Sequence, residues 1–435
     1  MEKLSAVMLG AGNRGLLTYG PYAQAHPEEL EFVAVAEPRK GRRERFAREH
    51  GIPPQRQYDS WESLLAVGKL ADVLFNCTQD KLHTATTLAA LDVGYDILLE
   101  KPMADNLLDN MRLVQAAEKR GRLLATCHVL RYTAFFQTLR DVLRSGRLGR
   151  IINVDHRENL IFWHMAHSFV RGNWRAEESS APMLLAKCCH DLDILGWLLG
   201  LRFTRVSSFG SLTAFRPEHA PPDAPLRCTD GCPHADDCKF YAPRFYARDG
   251  DSFMLNAVAM NAGADERLEL LASSSPYGRC VWHCDNTVVD HQTVSLEAED
   301  GTTVTLIMQG HGFEECRTMR YDGTLGTLQA RMGGADGNKI TLRDHLSGSS
   351  EEIEVQDAAS GHGGGDFGIV AAFLRAARGA PDRDLPTARE SLESHLLAFA
   401  AEEARNSRKV IKVDRFRRRA EKALKRERKR EKSKR

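Results

Sequence analysis

The chain has 435 residues, 42% of them hydrophobic and 27% charged, which suits ordinary folded domains and is too long for one average core, so two domains are expected. No run of eighteen apolar residues argues for a helical membrane span, and the N-terminus lacks a signal-peptide pattern, so a cytoplasmic location is expected. The net charge of +1 hides an asymmetry: Arg415–Arg435 carries thirteen Lys/Arg and three Glu, a surplus of +10 that leaves −9 for the first 414 residues, which argues against general nucleic-acid binding by the folded part.

In chain order, the apolar run 4–9 ends in Gly10-Ala11-Gly12-Asn13-Arg14-Gly15, with a helix expected from Leu16. A second apolar run, Phe32–Ala36, ends at Glu37. Charged helical pattern follows over Lys40–His50, and another helix opens at Asp59-Ser60-Trp61-Glu62. Val73–Cys77, Ile97–Leu99 and Leu123–Ala125 read as further strands, separated by helices that stop at Gly94 and Gly121. Strands alternating with helices predict a parallel sheet covered on both faces, here over residues 1–127.

Beyond Leu148-Gly149 the pattern changes to successive strands with hairpin punctuation, clearest at Thr293–Leu296 and Val304–Ile307 around Asp300-Gly301. Asp322-Gly323 and Asp336-Gly337 read as further turns, and one main helix is expected over His190–Leu199. The end of the fold reads as a helix from Asp366 to about Ala377 and one opened by the capping box Thr387-Ala388-Arg389-Glu390. An α+β second domain is therefore expected over 128–413, its closing helix 387–406 packing back on the first domain, with a basic disordered tail over 414–435.

The first glycine turn is informative through its context of strand before, helix after and an acid closing the second strand. Gly10 permits the tight turn, Gly12 lets the backbone approach a diphosphate, and Gly15 allows close helix–strand packing. The helix N-terminus offers N–H groups and a favourable field to the anion. Glu37, 22 positions after Gly15, is placed to accept hydrogen bonds from a ribose diol and favours NAD, while Arg39, Lys40, Arg42 and Arg43 leave NADP open. Glu100-Lys101-Pro102 closes the fourth strand, and strand C-termini line the ligand crevice of such sheets, so Lys101 is expected beside a nicotinamide. A cationic nicotinamide favours a neutral amine beside it, which suits proton exchange with a substrate hydroxyl.

The fingerprint Gly10–Gly15, Thr78-Gln79-Asp80 with His83, Glu100-Lys101-Pro102 and His128-x-x-Arg131-Tyr132 together resemble the glucose–fructose oxidoreductase, inositol dehydrogenase and rhizopine-catabolism (Gfo/Idh/MocA) family. The resemblance runs from about Lys3 to Val413 and includes 389–395 (RESLESH) as the family's closing helix. It implies an N-terminal Rossmann domain and a large, mostly antiparallel, open-faced sheet domain, with a dinucleotide between them. It also implies oxidation of a sugar or cyclitol hydroxyl, and a dimer or tetramer. Asn13, Arg14, Thr78, Gln79, His83, Glu100 and Arg131 are then expected at the cofactor. His190 matches the family's catalytic histidine and Asp193 a frequent acidic partner, whereas Ala186 stands where the family has Asp. That departure moves the role to Lys187 or Asp193, or signals a different reaction.

Residues 156–175 are rich in polar and aromatic groups for a connecting segment. His156, Asn159, His164, His167 and Arg171 are expected to hold a hydroxylated ring, with Trp174 and Arg175 in the same pocket toward the cofactor. Cys228-x3-Cys232-x5-Cys238 resembles a structural metal loop, with Cys280 or Cys284 as a fourth thiolate for zinc, and it fits no common iron–sulfur spacing. The leading function is an NAD-dependent dehydrogenase for a carbohydrate or cyclitol. Two others remain: glycoside cleavage by transient oxidation, elimination and re-reduction, and a non-catalytic NAD-binding sensor whose basic tail meets an acidic partner or RNA.

Overall fold

The five apolar runs of the first 127 residues become strands of one six-stranded sheet, joined by an unexpected two-residue edge strand, in a computed structural model that describes residues 2–355, 361–380 and 382–434. Its strands are β1 Leu4–Leu9, β2 Leu30–Ala36, β3 Gln57–Tyr58, β4 Val73–Asn76, β5 Asp96–Leu99 and β6 Leu124–Thr126. They lie in the order β3-β2-β1-β4-β5-β6 with every pair parallel, the doubly wound arrangement whose ligand crevice lies at the strand C-termini. Helices Lys40–Glu49, His83–Val93 and Leu107–Arg120 cross between strands, and the last two end on left-handed Gly94 and Gly121 as their sequences predict.

The second sheet has nine strands: β7 Ile151–Ile161, β8 Phe203–Ser211, β9 His291–Ala298, β10 Thr303–Gly312, β11 Cys316–Gly323, β12 Gly326–Gly333, β13 Lys339–Asp344, β14 Ser350–Ile353 and β15 Ile411–Lys412. Their order is β14-β13-β12-β11-β7-β10-β9-β8-β15. Only β10 and β7 run parallel; the other pairs are antiparallel, including the β9–β10 hairpin turned at Asp300-Gly301. A long helix, Met183–Leu199, begins seven residues before the expected start at His190, and apolar side chains from Met183 to Leu198 bury it. It is called the site helix below.

The segment over 156–175 is not a connecting loop. Val154, His156, Glu158 and Leu160 alternate at the strand period and are buried on one face of β7, and helical turns follow from Phe162 to Arg171. Two polar residues in that alternation hide the strand from a reading based on hydrophobicity. Between β8 and β9 lies an insertion, residues 212–290, whose regular structure is limited to short helices such as Ala242–Tyr246, Phe253–Val258 and Ala264–Ala272.

The closing helix Ala388–Ser407 starts on the expected capping box, Thr387 with Glu390. The Pro386 carbonyl accepts the Thr126 N–H at 2.9 Å, tying this helix to the free edge of the first sheet. The tail corrects the sequence reading: Val413–Lys434 is helical, and Phe416, Ala420 and Leu424, spaced by four, are buried as one stripe. Ion pairs Arg112–Glu427, Arg417–Glu393 and Arg419–Glu403 fix it to the body. The charge density concealed an amphipathic pattern.

Leu424→Ala should therefore lower stability to denaturant by about 2–3 kcal/mol, as a packed leucine does, whereas no change in the midpoint would mean a loose tail. A second outcome concerns acid. His128, His167 and His395 are buried, and burial pulls their pKa values down to about 4, about 3 and about 3. Native chains thus bind fewer protons than unfolded ones as pH falls from about 6.5 toward 4. Stability should drop over that window by roughly 1 kcal/mol per pH unit for each histidine, read by denaturant titration at pH 7, 6 and 5; a flat profile would contradict it.

Candidate active site

The glycine turn joins β1 to its helix under steric constraint. A Cβ on Gly10, which has φ +87°, would sit 2.5 Å from the Cys77 carbonyl oxygen, and one on Gly15 would sit 2.2 Å from the Gly10 oxygen. Above Gly12 there is room, with the Arg42 guanidinium as neighbour at 3.7 Å from the Cβ position. No ion pair engages Arg42 among the described residues, and the buried Oδ1 of Asn13 has no hydrogen-bond partner there. An open glycine with the Arg42 guanidinium beside it at one turn fits a dinucleotide diphosphate, whose oxygens accept hydrogen bonds. Glu37 ends β2 as expected: Oε2 accepts the Ala11 N–H at 2.9 Å and Oε1 the Arg39 N–H at 3.0 Å. Its carboxylate is thereby fixed beside the turn.

Other residues expected at the cofactor are engaged within the protein. Arg14 donates to Glu100 at 2.5 Å, to the Tyr19 hydroxyl at 2.6 Å and to Asp366 at 2.7 Å, making an ionic knot behind the turn. His83 lies between the carbonyls of Pro102 and Thr78, at 2.8 and 3.0 Å, and so ties the loops after β4 and β5. Thr78 donates to Asn76 at 2.8 Å, and Gln79 precedes a single helical turn. Arg131 is buried, and its guanidinium makes a double hydrogen bond to Asp193 at 2.7 and 2.6 Å. Burial would raise the Asp193 pKa, but Arg131 outweighs it and holds the carboxylate ionised. Arg131 and Asp193, expected at the cofactor and at the substrate, neutralise each other in this structure.

The amine of Lys101, immediately after β5, reaches across to the second domain and donates to the Ala186 carbonyl on the site helix at 2.9 Å. His190 stands one helical turn further along the same helix. Its ring centroid is 5.6 Å from that of His128, which in turn is 5.6 Å from His395. His395 accepts the Met103 N–H on Nε2 at 2.9 Å, so its Nδ1 carries the proton given to the Ser391 carbonyl at 2.7 Å. Sequence reading included His128 and His395 only as parts of motifs; their clustering around Lys101 comes from the closing helix folding back.

Lys187, expected as a stand-in for the absent Asp, turns the other way. Its ammonium lies 3.2 Å from both Glu158 and Glu315, and these carboxylates outweigh burial and hold it charged. Glu315 also accepts from His164 at 2.9 Å, and its pKa is held at about 2 by His164 and Lys187 against burial. Burial keeps His164 neutral despite that carboxylate. Arg317 bridges Glu158 at 2.6 Å and Asp191 at 2.8 Å, and Asp191 pairs with His156 at 2.8 Å. Glu158, Glu315, Arg317 and Asp191 escaped the sequence reading. Glu158 was recoverable, since it lies two residues from His156 on the same strand face.

The remaining pocket residues separate. Asn159 lies on the opposite face of β7 from His156, bonded to Gln309 at 3.2 Å, so it does not join His156. His167 stacks on Tyr277 at 4.7 Å and meets the Tyr246 hydroxyl at 3.0 Å, and Arg171 donates to the carbonyls of Arg279 and Phe240, each at 2.7 Å. Both, expected at the substrate, are engaged here with the insertion. Trp174 does face the first domain: its indole N–H donates to Asp80 at 2.9 Å, and Ser180 donates to the same oxygen. Arg175 is paired with Asp285 at 2.8 Å. Cys228, Cys232 and Cys238 border one cavity, but they are not a closed metal set here. Among the described residues, only His26, Glu28 and Glu29 bring three such ligand atoms within 4.8 Å of one another. No helix among the described residues is long and apolar enough to cross a membrane.

Comparison with known proteins accords with this architecture. The chain is 23% identical over 328 residues to the putative oxidoreductase YteT of Bacillus subtilis, covering 72% of this chain and 74% of that protein. It is 29% identical over 231 residues to an inositol 2-dehydrogenase of Streptomyces avermitilis, covering 51% and 59%. The fold superposes on the crystal structure of an oxidoreductase from Agrobacterium radiobacter in complex with NAD+, L-tartaric acid and magnesium, with TM-score 0.66 and 15% identity over 95% of this chain and 99% of that one. Residues 4–128 match the NAD-binding Rossmann fold of the GFO/IDH/MocA oxidoreductases, and residues 136–329 match the C-terminal domain of the same proteins. The two matches span well over half of the sequence, and the chain belongs to the GFO/IDH/MocA oxidoreductase family.

Proposed function

We propose that the chain is an NAD-dependent dehydrogenase that oxidises a hydroxyl of a sugar, sugar derivative or cyclitol, with Lys101 as the group that takes the hydroxyl proton and His190 beside it. One observation carries the reading: the amine at the C-terminal end of β5 meets the site helix one turn before His190. A bound nicotinamide dinucleotide supplies the hydride acceptor. The protein's share is to place the alcohol and manage its proton. Lys101 Nζ keeps one hydrogen bond to the Ala186 carbonyl, which fixes the amine's direction without neutralising it by a carboxylate. Trp174 and Ser180, both on Asp80, close the cleft from the second domain and limit water. A carbohydrate or cyclitol is favoured by the inositol dehydrogenase among the relatives.

Purified chain with NAD and a panel of sugars and cyclitols should release NADH with at least one substrate class. Lys101→Ala should lower kcat/KM for it by about 10²–10⁴ while NAD affinity stays within a few-fold. NADH release unaffected by that substitution would remove Lys101 from the reaction. Glu37, positioned to accept from a ribose diol, favours NAD. Glu37→Ala should weaken NAD by about tenfold in calorimetry and NADP by less, and equal losses for both would point to a purely structural carboxylate.

A second reading is favoured by the His164–Glu315 pair. A neutral histidine oriented by a carboxylate is a second proton-transfer group on the second domain, more than simple dehydrogenation requires. It suits glycoside cleavage through a transient ketone with no net NADH. Released aglycone without NADH in the same panel would select it.

A further inference from the structure

The insertion over 212–290 poses a stability problem. Its own hydrophobic cluster contains only six buried residues: Cys228, Ala242, Tyr246, Met254, Leu271 and Tyr277. Phe215, Phe240, Val281, Val288 and Val289 anchor the insertion in the main core, so it is the outer part around this small cluster that is short of packing and open to a staple. Inside it, Cys228, Cys232, Cys238 and Cys280 border a single cavity, and all four are free of disulfides. Two short stretches hold the first and last of these together: the Cys228 N–H donates to the Gly278 carbonyl and the Cys280 N–H to the Leu226 carbonyl, each at 2.9 Å.

A charge is also unbalanced at this cavity. Arg171 is 1% exposed, and its hydrogen bonds go to the carbonyls of Arg279 and Phe240 and, at 3.6 Å, to the sulfur of Cys228. No carboxylate pairs with it among the described residues. A buried guanidinium without a counter-charge is strongly disfavoured. Thiolates bound to a metal would supply the missing negative charge beside it. The sulfurs are already treated as acceptors: besides Arg171 on Cys228, the Phe240 N–H donates to Cys238 Sγ at 3.4 Å. Such N–H groups orient sulfur ligands in metal centres.

We propose that Cys228, Cys232, Cys238 and Cys280 hold a thiolate-bound metal centre that staples the insertion, with Arg171 as its buried counter-charge. The chemistry is that of a thiophilic centre, a zinc ion or an iron–sulfur cluster. Four thiolates around one zinc stand about 3.8 Å apart, closer than these thiols, which are outside the groups gathered within 4.8 Å. Closing the set on a metal therefore requires the cysteine side chains to change rotamer. Cys284, whose sulfur donates to the Cys280 carbonyl at 3.2 Å, stands outside the set.

The test uses the full chain purified without chelators, in air and anaerobically, with metals, acid-labile sulfide and NAD affinity measured on the same samples. About one zinc per chain, or iron with matching sulfide and visible absorption, is expected. Cys232→Ser and Cys238→Ser should each lose at least nine-tenths of it, while Cys316→Ser, outside the cavity, keeps it. NAD affinity reports whether each variant is folded, and it separates this proposal from the enzymatic reading. Less than a tenth of an equivalent of metal after reconstitution with zinc or with iron and sulfide would overturn it, as would full metal content in a Cys232→Ser/Cys238→Ser double variant.

Discussion

The hydrogen bond from Lys101 to the Ala186 carbonyl is the constraint on which the cleft depends. It joins the C-terminal end of a parallel strand to the first turns of a helix carried by the other sheet. Such a contact has meaning only if both partners are held by something else. Lys101 is held because Glu100 is knotted to Arg14, Tyr19 and its own Lys101 N–H, the last at 3.0 Å. The site helix is held from three sides, by Arg131 on Asp193, by Arg317 and His156 on Asp191, and by Glu158 and Glu315 on Lys187. Each is a buried or half-buried charge pair, and removing one partner would strand the other. Such pairs add little net stability, but they fix the rotation of the helix and hence the direction of His190.

Much of this could be read from the chain and some could not, for definite reasons. Five strands of the first sheet were legible because parallel strands are continuous apolar runs and its helices stop on glycine, as at Gly94 and Gly121, whereas the two-residue edge strand Gln57–Tyr58 carries no such run. The glycine turn and Glu37 were legible because steric demands leave few residue choices. Strand β7 was not, because His156 and Glu158 occupy its buried face and make the alternation look polar on both sides. The partners of Arg131, Lys187 and Arg14 were not legible either. Those residues lie 62, 128 and 352 positions from Asp193, Glu315 and Asp366, and spacing carries no information across such distances. A motif names a residue; its partner decides whether that residue faces a ligand.

The same distinction bears on the charge asymmetry. The +10 of the tail and the −9 of the body are paired only in part, through a few contacts that seat the tail on the body. Glu393 and Glu403 on the closing helix take Arg417 and Arg419, while Arg112 takes Glu427 and Arg202 takes Asp414. Exposed pairs of this kind contribute little each, so the buried stripe of Phe416, Ala420 and Leu424 supplies the attachment and the ion pairs set its register.

Ala186, which the family resemblance places where an Asp is expected, meets Lys101 through its backbone carbonyl. A carboxylate there would accept a hydrogen bond and also titrate, so it would share a proton with Lys101. A backbone carbonyl accepts the same bond and never titrates in this range. On the proposed reading, the proton that Lys101 receives cannot pass to position 186 and must leave toward His190 or solvent. His164 and Glu315 form a separate pair on the other side of the same helical turn, joined to the site helix through Lys187.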